Sequence, residues 1–160
     1  MRVVVIGYGN PYRGDDAAGL IAAGILRRCL PPFADVRSIT SDGTALLDAW
    51  RNADAAILVD AVVSGSEPGT VHRLTALPEI APEMRFASSH SFGLADAVGL
   101  ARTLDLLPQR MVIYGIEAAQ FEEGAGLSEA VEAAVLKVST GIAVDFHALT
   151  KGALRDTSDG

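Results

Sequence analysis

The sequence predicts an α/β fold: a three-layer α/β/α domain around a mostly parallel sheet. Two observations carry that prediction. Apolar stretches of strand length alternate with segments of helical periodicity along the chain. The first of these stretches, Val3-Val4-Val5-Ile6, runs straight into the turn Gly7-Tyr8-Gly9, and the loop that follows closes on Asp15-Asp16, where a helical pattern takes over. A buried strand feeding a loop and a helix puts that loop at the carboxyl edge of a sheet, where open α/β folds bind their ligands.

The elements follow in order. Residues 2–7 form the first buried strand. A helix is predicted from about Asp16 to Leu30, with Ala17, Leu20, Ile21, Ile25 and Cys29 along its apolar side. Arg27-Arg28 suit the negative end of its dipole and Pro31-Pro32 end it. A weaker strand at 35–40 leads to the turn Ser41-Asp42-Gly43-Thr44 and a short helix from about Ala45 to Asn52. Ala55 to Val59 is a second buried strand with Asp60 at its carboxyl end. Thr70 to Leu74 alternates like an edge strand, with Val71 and Arg73 facing one way and His72 and Leu74 the other. A helix is expected from about Phe92 to Leu106, then a third buried strand from Met111 to Ile116 closed by Glu117. The last helix, about Leu127 to Ala148, carries the stripe Val131, Val135, Val138, Ile142 and Phe146. The sequence suggests one domain over 1–150 and a flexible tail over 151–160.

Composition narrows the function. A formal net charge of −7 argues against nucleic acid and against anionic membrane surfaces, which need clustered Lys and Arg. No apolar run reaches the ~18 residues of a membrane span, and the apolar start is too short for a signal peptide, so a cytoplasmic setting is expected. The single cysteine, Cys29, excludes an intramolecular disulfide and is expected to pack in the core.

Familiar motifs fail one by one. A dinucleotide fingerprint beginning at Gly7 needs a third glycine where Tyr12 stands, and Pro11 removes an N–H that a pyrophosphate would use. There is no P-loop lysine, no His-Glu-x-x-His zinc helix and no Gly-x-Ser-x-Gly elbow. What remains is a constellation. Asp16, Asp60 and His90 each follow a strand or precede a helix at the same expected edge, and two carboxylates with an imidazole suit a borderline divalent cation such as Ni²⁺ or Zn²⁺. Simpler readings stand beside this one: Asp15 or Asp16 as a cap of the first helix, Asp60 as a strand terminator, His90 as an exposed residue among serines. His72 and His147 read as structural or solvated.

Taken together, Ile6-Gly7-Tyr8-Gly9-Asn10 with Gly14-Asp15-Asp16, Val59-Asp60-Ala61, and Ser89-His90-Ser91-Phe92-Gly93-Leu94-Ala95-Asp96 resemble the hydrogenase maturation endopeptidases, as do Gly115-Ile116-Glu117 and Gly126-Leu127-Ser128. The resemblance spans about residues 1–147. It implies a mixed five-stranded sheet in which the strand at 70–74 runs antiparallel. It implies an endopeptidase that trims the C-terminal extension of a nickel–iron hydrogenase large-subunit precursor after nickel insertion. It places both the metal-site and the catalytic roles on Asp16, Asp60 and His90, with the nickel presented by the precursor and the enzyme expected to be monomeric. Asn10 and the Gly7/Gly9 backbone are expected to shape the groove, with Asp42, Thr44 and Glu117 at its rim. The alternative within this resemblance is a non-catalytic nickel-binding chaperone or checkpoint module. Five positions depart from the family pattern. Asp16 is one methylene shorter than the usual Glu, Ala17 replaces a Gly, Ser41-Asp42 replaces Asp-Gly, and Ala118 replaces a Pro.

Overall fold

The structure, a computed structural model, describes residues 1–40, 43–75, 85–86 and 93–151. Its strands are β1 (Val3–Tyr8), β2 (Asp35–Ile39), β3 (Ala55–Val63), β4 (Val71–Leu74), β5 (Arg85–Phe86) and β6 (Arg110–Glu117). The helices are α1 (Ala18–Cys29), α2 (Thr44–Trp50), α3 (Leu94–Thr103) and α4 (Glu129–Thr150), with a 3-10 turn over Gly14–Ala17. Five strands follow the order β2-β1-β3-β6-β4, and the two-residue β5 adds to β3 off that path. β1, β2, β3 and β6 run parallel, while β4 is antiparallel to β6, as expected for the strand at 70–74.

Strand parity divides the core in two. Val3, Val5, Ile57, Val59, Val112 and Tyr114 pack with α1 and α4. Their neighbours Val4, Ile6, Ala56, Leu58, Met111 and Ile113 pack with α2 and α3. Each face of the sheet therefore carries a pair of helices. The predicted stripe of α4 is fully borne out, since Val131, Val135, Val138, Ile142 and Phe146 are all buried.

The predicted stripe of α1 is corrected. Its buried side is Ala18, Gly19, Ala22, Ala23 and Leu26, whereas Ile21 is 42% exposed and Cys29 lies on the surface. The reason is closeness of approach. A Cβ on Gly7 would lie 2.2 Å from the Gly19 carbonyl oxygen, and one on Gly19 would lie 2.3 Å from that of Val59 and 2.5 Å from that of Tyr8. Backbone rests on backbone here, so only small side chains fit at the seat; Ile21 is turned outward, and Ile25 packs only partly buried at the margin of the core.

The carboxyl edge of the sheet is stepped. β1 ends at Tyr8, and the pairing of Gly7 with Val59 puts Asp60 level with that end. β3 does not stop at Asp60, as the sequence suggested, but continues to Val63 beside β6, with Val62 paired to Glu117. The apolar run Ala61-Val62-Val63 carries the strand on. From β1 the chain passes through α1 to β2, and from β3 it reaches β6 on the opposite side. β1 and β3 thus flank the point where the connections diverge, the usual ligand position of such sheets.

Candidate active site

Asp16 and Asp60 come together at that step. Asp16 sits in the 3-10 turn and is 1% exposed; Asp60, within β3, is fully buried. The glycines of the first loop make this possible. Gly9 has φ +155°, and a Cβ there would lie 2.0 Å from the Asp16 carbonyl oxygen. The Asn10 N–H donates to that same oxygen at 3.2 Å, and the Asp16 N–H donates to the Arg13 carbonyl at 3.0 Å. The loop is folded onto its own far end, and the Arg13 guanidinium lies 3.8 Å from Asp16 Oδ2.

Asp60 Oδ1 accepts the Ala61 N–H at 2.8 Å, while Asp60 Oδ2 is buried and has no hydrogen-bond partner among the described residues. Burial first, and the charge of Asp16 second, push the Asp60 carboxyl well above its ordinary range, against the Ala61 bond, which lowers it. A buried acceptor left open beside a second carboxylate suits a proton or a cation.

The third expected residue, His90, lies outside the described residues, as does Asp42. Among the described residues no set of three or more His, Cys, Asp or Glu side chains is gathered to hold a metal. The described residues on either side of positions 87–92 are Phe86, paired to Val62 two residues beyond Asp60, and Gly93, the residue before α3.

Asp15 is not a helix cap. Neither the 3-10 turn nor α1 has a side-chain cap bond at its start. Asp15, fully buried, instead accepts hydrogen bonds from the N–H groups of Ala119 (2.8 Å), Gln120 (3.1 Å) and Ser128 (2.7 Å) and from the Ser128 hydroxyl (2.9 Å). Sequence reasoning missed this role. The available signal was the pair of adjacent acids, which cannot both point into one site.

Glu117, expected at a groove rim, is buried as well. It accepts the Ser64 N–H at 2.9 Å, the Ser66 N–H at 3.2 Å and the Ser64 hydroxyl, and His72 Nε2 stands 3.5 Å away. Burial alone would raise its carboxyl, but the bonds from Ser64, Ser66 and His72 prevail and hold it below the ordinary range. Glu117 therefore fixes the turn after β3, and His72 has the structural role expected of it. Asn10 is half-buried, and its Oδ1 accepts the Tyr12 N–H at 2.9 Å, bracing the first loop.

Comparison with known proteins agrees with this architecture. The sequence profile of the HycI family, described as hydrogenase maturation protease, matches residues 40–143. The hydrogenase 2 maturation protease of Escherichia coli K12 is 31% identical over 138 residues, covering 84% of each chain. Among solved structures, the hydrogenase maturating endopeptidase HybD from E. coli superposes with a TM-score of 0.75 at 26% identity, over 92% of this chain and 93% of that one. The [NiFe] hydrogenase maturation protease HybD from Thermococcus kodakarensis gives 0.74 at 29% identity, over 91% and 99%.

Proposed function

The chain belongs to the hydrogenase maturation protease family, and on that premise we propose that it removes the C-terminal extension of a nickel–iron hydrogenase large-subunit precursor after nickel insertion. The observation that carries this reading is the open, buried Asp60 Oδ2 beside Asp16. Two carboxylates sharing one buried edge repel each other until a proton or a cation comes between them. Their donor set fits a divalent ion, with His90 as the third ligand on the strength of its motif.

The nickel arrives as part of the substrate. Asp16, Asp60 and His90 would hold it, and the ion would supply polarisation of the scissile carbonyl. The chain's own contribution is orientation and proton handling. The Asp60 carboxylate is held by the β3 ladder and the Ala61 N–H, and the Asp16 backbone by the Gly9–Asn10 contact, so both enter the site from fixed main chain. A carboxylate oxygen of Asp16 or Asp60 not engaged by the ion takes the proton of the attacking water. Because the ion is shared between protease and precursor, a nickel-loaded precursor binds better than an empty one, and cleavage is confined to correctly loaded molecules. The reading places a monomeric enzyme in the cytoplasm. Among the described residues no helix is long and apolar enough to cross a membrane.

Intact-mass analysis of a nickel-loaded and an empty precursor, each incubated with the protein, tests the proposal. Shortening of the loaded precursor alone is the expected result. Tight binding without shortening would move the protein to the checkpoint-module reading, and turnover of small amides without any precursor would overturn both.

A further inference from the structure

The loop between β6 and α4, residues 118–128, is a braced unit. Gln120 Nε2 donates to the Gly126 carbonyl at 2.9 Å, the Glu122 N–H donates to Gln120 Oε1 at 2.7 Å, and the Ala125 N–H donates to the Glu122 carbonyl at 3.2 Å. Its stem is tied to the strand that carries Asp60, because the Ala118 N–H donates to the Val62 carbonyl at 3.0 Å. Its body lies on the loop that carries Asp16. The Gly124 N–H reaches the Tyr12 carbonyl at 2.9 Å, Arg13 pairs with Glu123 as a β-bridge, and the Arg13 guanidinium stands 5.0 Å from the centre of the Phe121 ring.

Asp15 joins this unit to the site. Its carboxylate takes four donors from residues 119, 120 and 128, and its own N–H donates to the Gln120 carbonyl at 3.0 Å. A buried carboxylate is costly unless its acceptor positions are filled, and among the described residues the filling comes from the distant loop. Its neighbour in sequence is Asp16. Asp15 therefore adds four side-chain bonds to the backbone ties that seat the loop beside the reacting carboxylates, and Tyr12 of the joined loops is 76% exposed.

We propose that Asp15 is a positioning residue: it clamps loop 118–128 against the Asp16 turn as a fixed wall for the precursor's C-terminal segment, and so governs precursor binding more than bond cleavage. For its substrate this rests on the processing function proposed above.

Asp15→Asn keeps the volume but turns one acceptor into a donor facing N–H groups. Lost charge-assisted bonds of this kind are large enough to shift an equilibrium by about tenfold or more. Hydrogen exchange of the free protein is expected to rise by about that factor at the amides of Ala119, Gln120 and Ser128, with β1, β3 and β6 unchanged. With nickel-loaded precursor, KM rises about tenfold while kcat stays within about threefold. Ser128→Ala, which loses one bond and leaves Asp15 in place, moves both readouts the same way by less, and it answers the question if the Asn variant does not fold. Unchanged exchange at the three amides, or a fall in kcat with KM untouched, overturns the proposal. Failure of the unaltered protein to shorten loaded precursor strikes the processing function alone. In that case exchange, together with the variants' Kd for the precursor, still decides the role of Asp15.

Discussion

Asp16 lies close enough to Asp60 for its charge to add to burial in raising the Asp60 carboxyl, and no described side chain relieves the pair by bonding Asp60 Oδ2. On the proposed reading, the arrangement disfavours the metal-free protein and favours an entering cation, so stability and function are set against each other at these two positions.

The first prediction follows directly. Asp60→Asn removes the carboxyl whose ionisation burial and Asp16 oppose, so the metal-free protein is expected to melt higher. For a chain of this size, each kcal/mol gained corresponds to roughly 2–4 °C. Processing of loaded precursor is lost in the same variant. Added Ni²⁺ is expected to raise the Tm of the unaltered protein and not that of the variant. A lower Tm for the variant, paired with normal processing, would contradict the assignment.

Glu117 gives the acid dependence. Its folded carboxyl sits below its ordinary value of 4.5. The unfolded chain therefore binds a proton first as pH falls. The stability that Glu117 contributes is complete above about 4.5 and is lost as pH drops through the folded value. Glu117→Gln should cost about 1–3 kcal/mol at neutral pH and flatten the acid limb of a urea-unfolding series. A variant with the same acid limb as the parent would refute this.

Tyr114 gives the alkaline dependence with the opposite sign. Its hydroxyl donates to Asp145 Oδ2 at 2.5 Å under α4, while Arg73 grips Asp145 through bonds of 2.7 and 3.1 Å. Burial first, then the bond to Asp145, push the phenol from 10.0 up to about 12. The folded protein keeps a proton that the unfolded chain gives up, so stability is whole below pH 10 and falls as pH rises toward about 12. In Tyr114→Phe, denaturant titrations across that window should lose this fall, and neutral stability should drop by about 1 kcal/mol.

Two glycines of α1 should respond in opposite directions. Gly24 has nothing within 4 Å of a built Cβ, so Gly24→Ala should stabilise by up to about 1 kcal/mol through helix propensity. Gly19 meets only backbone, at 2.3 and 2.5 Å, so Gly19→Ala must lift α1 from the sheet and is expected to cost about 2–3 kcal/mol or more. Calorimetric melting of the two variants gives the comparison, and a stabilised Gly19→Ala would show that the helix is not seated as described.

Much of the fold was legible because burial follows simple periods. β1, β3 and β6 are continuous apolar runs, and α4 repeats its stripe without interruption. The face of α1 was not legible, since hydropathy favours Ile21 and Cys29 over Ala22 and Ala23, while the close seat at Gly7 and Gly19 admits only small groups. Asp16 and Asp60 could be placed at one edge because each belongs to a recognisable strand junction. The partners of Asp15 could not, because nothing local to it points to Ser128. The Tyr114–Asp145 bond left only a faint trace, an acid beside Phe146 on the apolar side of α4.

The span of the Asp15 clamp also bears on when the protein can act. Its donors arrive 104 to 113 residues after it in the chain. During synthesis the first loop leaves the ribosome with its carboxylate unsatisfied, and it stays so until the segment leading into the last helix has emerged. A contact of such long range forms late. A nascent chain that has not yet exposed residues 119–128 would carry Asp16 and Asp60 without the wall beside them, so on the proposed reading the ability to engage a precursor arises only after that segment has emerged.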